Sequence, residues 1–549
     1  MRRRSNQSRG PSRRQLIDSE RLYGDIRLSE GAVSVGLAYP NRYGVGMANL
    51  GYQTILHRLR SIPGVSAERV FQGEGEGPLK TFETQKPVGG LDAILFSVSF
   101  ENDYVNLVRM LAQARIPLDR EERDDRHPMI VVGGAITFLN PEPLRKYADV
   151  MLMGEGEEIV CEYIDRMRSD RGEARAERVK RAGAIAGAYV PALHRCAGEV
   201  ERRSYMAMKH DPALTRILTP HSEFSDTLLM EISRGCPRRC RFCTVGSAFP
   251  KFRMLPADEA VAIAERFRAE DVAAGRRPVS KVGLVTAAFF DHIESERMAE
   301  MLFTRGFEIG ASSVRVDQLT LPLLEYLRKS GLQALTIAPE AGTERLRRII
   351  AKEATDEKIM AGVSKVAAAG FRSLRIYYMV GLPFETEDDR AGLVSEAMRI
   401  RSHFYNEING SGRVTVSLHP FVPKPRTSFQ WSAMREPKDI KKIVLEIRKQ
   451  LPGIRVKCPS HKDVYLEGIL ARGGEELAPF LESVAAGSNW QAAARETNLP
   501  LEELIYSDRP GETAFPWEME GKDRVDRVNW REFQRASDLN VTEVSQVHE

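Results

Sequence analysis

The chain has 549 residues, 42% hydrophobic and 28% charged, with a formal net charge of +4. That length is too great for one compact core and points to several domains, while the composition is ordinary for a folded globular protein. No run of about 18 apolar residues marks a membrane span, six cysteines in so long a chain make no disulfide framework, and 7% aromatics with so small a charge specify no nucleic-acid surface.

The first fourteen residues, "MRRRSNQSRGPSRR", hold six arginines without apolar periodicity. Residues 1–25 read as a disordered basic tail, and the segment lacks the apolar stretch of a signal peptide. From 26 to 165 apolar runs alternate with helical spacing. "AVSVGLAYP" reads as a strand and "MANLGYQTILHRLRSI" as a helix. "LDAILFSVSF", "NDYVNLVRMLAQARI", "PMIVVGGAI" and "DVMLMGEGE" continue the rhythm. Strands alternating with helices predict a parallel sheet covered on both faces, a doubly wound α/β domain with ligands beyond the carboxyl ends of its strands.

Residues 166–220 are charge-rich and weakly periodic, and read as a helical connection. A second series follows over 221–431, with strand candidates "TLLMEIS", "KVGLVTAAF", "IGASSVRV", "LQALTIAP", "SLRIYYMVG" and "RVTVSLHPF". Helical segments between them predict a partial (β/α)6 barrel. Residues 432–549 read as a mainly helical extension.

Immediately after the first strand of the second series stands "EISRGCPRRCRFCTVG", with Cys236, Cys240 and Cys243 in eight residues. Cys-x3-Cys-x2-Cys cannot lie on one face of a regular element. A loop can bring the sulfurs together, and Gly235 and Pro237 favour such a turn. Arg234, Arg238, Arg239 and Arg241 are expected to lower the thiol pKa values. Structural zinc wants four ligands, but the next histidine is His292 and the next cysteine Cys458. An electron-transfer cluster also wants four cysteines. A four-iron cluster on three thiolates leaves one iron open to an outside ligand. Three clustered and three scattered cysteines suit a reducing compartment, the cytoplasm by default.

The cysteine spacing, with Phe242 just before the last cysteine, resembles the signature of the radical S-adenosylmethionine (radical SAM) superfamily over about residues 220–430. The resemblance implies one [4Fe–4S] cluster held by the three cysteines, with S-adenosylmethionine on the open iron. Reductive cleavage would then give a 5′-deoxyadenosyl radical that takes hydrogen from a substrate. It implies a reductant such as a flavodoxin or ferredoxin, an unidentified substrate, and no membrane or nucleic-acid partner. "TIAPEAGTERLRRIIAK" resembles the family's fourth-strand segment and makes Glu340 a cofactor contact. "MVGLPFETEDD" resembles its fifth-strand turn, with Gly381 and Pro383 near the adenosine, while Glu385 and Thr386 open the next helix. The usual Gly-Gly-Glu-like segment is replaced by "VTAAFFDH", which passes the methionine amino contact to Ala287 and Ala288 or to Asp291. Arg315 and Asp317 read equally as ligand contacts or as a structural ion pair. No catalytic side chain is assigned. A non-catalytic iron–sulfur or zinc module is the alternative.

The front domain resembles the cobalamin-binding domain of one branch of the family. Ser97, Ser99, Gly133, Gly134 and Thr137 match the positions that hold the cofactor's nucleotide tail. The Asp-x-His-x-x-Gly signature is absent: Asp125-Arg126-His127 imitates its start, but Ile130 stands where glycine belongs. A domain with cobalamin and one without it both remain open. The stretches "YPNRYGVGMANLGYQTI", "FVPKPRTSFQW" and "FPWEM" resemble an uncharacterised bacterial radical SAM group. Lack of further cysteines before Cys161 or after Cys458 predicts a single cluster.

Overall fold

Apolar runs flanked by amphipathic segments bury both faces when strands lie parallel. The computed structural model follows this rule in the front sheet, whereas strands Ala334–Glu340 and Ser373–Val380 of the second series alternate buried and half-buried residues. It describes residues 10–73, 77–249, 251–287, 289–311, 314–352, 354–410, 412–518 and 524–547. After a short β1 (Arg21–Leu22), the front sheet comprises β2 (Val33–Tyr39), β3 (Val65–Phe71), β4 (Ala93–Ser97), β5 (Met129–Gly133), β6 (Val150–Leu152) and β7 (Ala188–Tyr189). Its order is β3-β2-β4-β5-β6-β7, parallel except for antiparallel β7. Successive side chains point to opposite faces. Val35, Leu37, Leu95 and Val131 pack with the helices Leu50–Arg60 and Gly156–Ser169, while Ile94, Phe96, Ile130 and Val132 share a second core with helix Asp103–Gln113. That second core includes Tyr465, Ile469, Phe480 and Trp490, so the C-terminal helices fold back over the front sheet.

Next come β8 (Ile217–Leu218), β9 (Leu228–Glu231), β10 (Ser233–Arg234), β11 (Arg253–Met254), β12 (Lys281–Val285) and β13 (Glu308–Ala311). They are followed by β14 (Ala334–Glu340), β15 (Ser373–Val380), β16 (Arg413–Pro420) and β17 (Arg455–Lys457). Parallel β9-β12-β13 and parallel β14-β15-β16-β17 are linked by a bridge between Val314 and Ile337. All six strands expected from the sequence are present, and β17 extends the series inside the region read as helical. That region is otherwise mainly helical, ending in helix Arg524–Val547.

Two boundaries differ from the sequence reading. Residues 1–9 lie outside the described residues, but the expected tail is structured from Ser12 onward. Helix Arg13–Asp18 carries a capping box between Ser12 and Gln15. Arg13 donates to the carbonyls of Phe82 and Glu83, β1 pairs with β8, and Tyr23 is fully buried against Phe267. Arg13 and Arg21 make directed bonds, where the composition suggested solvation. The connection also begins later than 166, because helix Arg175–Ala182 and β7 complete the front domain. Among the described residues no helix is long and apolar enough to cross a membrane.

Candidate functional site

β9 passes into β10, which pairs antiparallel with β11, so residues 235–252 form a closed excursion from the strand end. Gly235 opens it at φ +84°, and a Cβ there would sit 2.7 Å from the Phe249 carbonyl oxygen. Only glycine fits that turn without strain. Within the loop the Cys243 N–H donates to the Cys240 carbonyl at 3.0 Å. The three thiols are partly buried, Cys240 feels the charge of both Cys236 and Cys243, and Cys243 feels that of Cys236. Phe242 turns into an apolar cluster with Leu346, Leu382, Phe384 and Phe429.

Burial pushes all three thiols up, Cys240 to about 11, against the weaker pull of Lys352 and Arg315. This corrects the expectation that the loop's arginines lower them. Arg234 pairs with Glu231, Glu155 and Glu157, Arg238 with Asp291, and Arg241 with Glu532. Arg238 does pull on Cys236, through its charge and its backbone N–H, but its partner Asp291 pushes the other way and burial outweighs both.

Glu340 ends β14 at φ +70°, beyond a register shift that starts at Ile337. A left-handed glutamate is a strained conformation that surroundings must hold, and such strain gathers at functional sites. Its carboxylate accepts from Lys352 Nζ at 2.9 Å, and both groups act on Cys243. Lys352 was missed in the sequence, where it reads as one more cation at the end of "RRIIAK". Arg315 and Asp317 form a two-point ion pair at 3.1 and 2.7 Å, with Arg315 felt by Cys236 and Cys240. Asp291 is engaged by Arg238 and Gln318. Ala287 is exposed at the β12 exit, and Ala288 lies outside the described residues.

Gly381 has φ +74° and donates its N–H to Glu385 at 2.9 Å. A Cβ there would lie 3.0 Å from Arg435 and Ile440. Gly381 and Pro383 line a cavity of about 430 Å³ with Arg435, Asp439 and Tyr506, and none of the three cysteines borders it. Thr386 caps the next helix through a reciprocal bond pair with Asp389, as the sequence suggested.

A second cavity, about 280 Å³, lies where the carboxyl ends of the front sheet face the cysteine-bearing domain. Ser97, Ser99, Gly133 and Gly134 line it from one side, and Glu231, Arg234, Phe249 and Val285 from the other. A Cβ on Gly133 would meet nothing within 4 Å. Gly134, at φ +102°, serves the chain itself, because a Cβ there would lie 2.4 Å from the Val98 carbonyl oxygen. Thr137 does not line the cavity. It is fully buried, donating to the Gly134 carbonyl and accepting the Gly154 N–H, so its hydroxyl is spent within the fold. Ser99 Oγ accepts from Asn49. His127 precedes β5 at the opposite end of the sheet and cannot reach the cavity.

Three thiols of this kind suit a multi-iron cluster, in which each thiolate binds a different iron. Among the described residues no three His, Cys, Asp or Glu side chains are arranged around a single metal ion.

A parallel α/β chain with three cysteines and no fourth at a strand exit suits an iron–sulfur cluster with one iron left open. Residues 230–397 match the Radical SAM superfamily, residues 51–191 match the family described as Radical SAM proteins, N-terminal, and the chain belongs to the radical SAM superfamily. It is 28% identical over 458 residues to the uncharacterized protein MJ0966 of Methanocaldococcus jannaschii, an alignment covering 82% of this chain and 90% of that one. Among solved structures it is similar to OxsB, a cobalamin-dependent S-adenosylmethionine radical enzyme, with TM-score 0.46 and 16% identity. The match covers 68% of this chain and 52% of OxsB, so the chain spans about half of that enzyme. Coproporphyrinogen III oxidase (HemN) from Escherichia coli, a radical SAM enzyme, matches at TM-score 0.30 and 13% identity, over 50% of this chain and 79% of that one.

Proposed function

We propose that Cys236, Cys240 and Cys243 hold three irons of one [4Fe–4S] cluster and that S-adenosylmethionine takes the fourth. When bound and reduced, that cluster would supply the electron that cleaves the sulfonium, giving a 5′-deoxyadenosyl radical for hydrogen abstraction. The observation that carries the reading is the mutual proximity of three thiols on a loop that offers no fourth. In this reading Phe242 fixes the loop through its apolar contacts. Glu340 and Lys352 present a paired negative and positive group beside Cys243, suited to the amino and carboxylate ends of the methionine moiety. Arg315 and Asp317 offer a second such pair. Gly381 and Pro383 set the turn that walls the nucleoside side. Substrate and an electron donor such as a flavodoxin or ferredoxin complete the reaction, in the reducing cytoplasm.

The front cavity adds a branch. Ser97 and the open space at Gly133 suit a ring inserted at the sheet edge, the place of a cobalamin tail, and bound cobalamin would add methyl transfer. Anaerobic turnover with reductant tests both parts. 5′-Deoxyadenosine alone supports hydrogen abstraction, and S-adenosylhomocysteine with it supports methylation. Replacing any of the three cysteines by Ala should abolish iron binding and cleavage. A Cys240→Ala protein with full iron and activity ends the proposal.

A further inference from the structure

Arg241 stands between two of the proposed ligands, and the fold uses it as a hub. Its backbone N–H donates to the Ile350 carbonyl at 3.0 Å, and its own carbonyl accepts the Phe429 N–H at 3.2 Å. One guanidinium nitrogen donates to the carbonyls of Arg348 and Ile349, at 3.1 and 2.7 Å. These carbonyls close helix Glu344–Ile349, where a cation suits the helix dipole. The other terminal nitrogen meets Glu532 at 3.0 Å. Arg241 is 6% exposed, so Glu532 is the carboxylate that balances a buried cation inside the cysteine loop.

Glu532 is itself held in place by two motifs whose purpose the sequence did not disclose. "FVPKPRTSFQW" and the described part of "FPWEM", residues 515–518, meet the start of helix Arg524–Val547. Arg426 donates to the Trp517 carbonyl and accepts Asn529 Nδ2 on its own carbonyl, while Gln430 donates to Asp526 at 3.0 Å. Phe533, next to Glu532, packs on Phe429 and Phe384. The helix cannot shift without disturbing the strand exit that also binds Arg241.

We propose that Glu532 is a positioning residue for the iron–sulfur cluster, acting through Arg241 to fix the cysteine loop and neutralise its buried charge. This rests on the cluster reading above. Glu532→Gln keeps a hydrogen-bond acceptor but removes the charge, leaving the buried guanidinium of Arg241, a residue of the cysteine loop, uncompensated. The reconstituted variant should keep wild-type iron content, while its cluster midpoint potential shifts to more positive values and its reduced-state electron paramagnetic resonance spectrum changes. Glu532→Ala should in addition release iron to a ferrous chelator severalfold faster, and Glu532→Asp should restore the wild-type potential. Unchanged potential, spectrum and release rate in Gln and Ala variants of a cluster-bearing protein would overturn the inference. Should Ala fail to fold, the Gln and Asp pair decides it. A wild-type protein that holds no cluster overturns the cluster reading first.

Discussion

Replacing Arg234 by Met separates two roles for the arginines of the cysteine loop. Arg234 holds both oxygens of Glu231, at 2.9 and 2.7 Å, and reaches Glu155 at 3.1 Å and Glu157 at 2.7 Å. Its side chain is 10% exposed and those of Glu155 and Glu157 are 3% and 8%. Burial pulls its pKa down, but Glu231, Glu157 and Glu155 outweigh burial and hold it above the ordinary arginine value. Arg253 also binds Glu155, so the substitution leaves three carboxylates with one guanidinium between the two α/β domains. Removing one partner of a buried ion pair costs about 3–5 kcal/mol. At roughly 2 °C per kcal/mol for large domains, melting should fall by about 6–10 °C. Scanning calorimetry of the metal-free protein at pH 8 measures it, and the exposed Arg239→Ala should melt within about 1 °C of wild type. Burial raises the Glu155 pKa, yet Arg253 and Arg234 together hold it below the usual range. Stability from that group is present above the unfolded carboxylate pKa and is lost as pH falls through the folded one. The deficit of Arg234→Met should therefore persist down to about pH 5 and shrink only as pH falls below the unfolded carboxylate value of 4.5. Unchanged melting at pH 8 would refute the clamp and return Arg234 to the service of the thiols.

Gly134→Ala should destabilise severely, because a positive φ and a 2.4 Å approach to a backbone oxygen coincide there. Gly133→Ala, with open space around its Cβ, should fold with stability within about 0.5 kcal/mol of wild type; comparable melting temperatures for the two variants would contradict the cavity geometry. Burial, then the neighbouring Asp526, pushes the Glu518 carboxyl from 4.5 up to about 8, partly offset by Arg426. The folded state thus retains a proton that the unfolded chain has shed between those values, so stability declines as pH rises across that window. Glu518→Gln should flatten this decline, read from protease resistance of the C-terminal helix between pH 6 and pH 9. An unaltered pH slope would count against it.

Much of the molecule was legible in the chain because its information is local. Val33–Tyr39 and Ala93–Ser97 announce themselves as apolar runs, since strands covered on both faces leave little place for alternation, while Ser373–Val380 alternates buried and half-buried residues and is legible by that period of two. Thr386 and Asp389 declare a helix start within four residues. Cys-x3-Cys-x2-Cys is likewise complete within one loop. The basic leader misled because an arginine reads alike whether solvated or bonded to a distant carbonyl, as Arg13 is at Phe82.

By itself the sequence determined two parallel α/β series, a helical close and a three-thiol loop at a strand exit. Only the tertiary structure decided which charges neutralise one another. Glu155 meets Arg253 across 98 positions of the chain, and Glu532 meets Arg241 across 291. Backbone geometry and side-chain periodicity act over a few residues, whereas an ion pair depends on where two remote segments come to rest, which the whole packed chain settles.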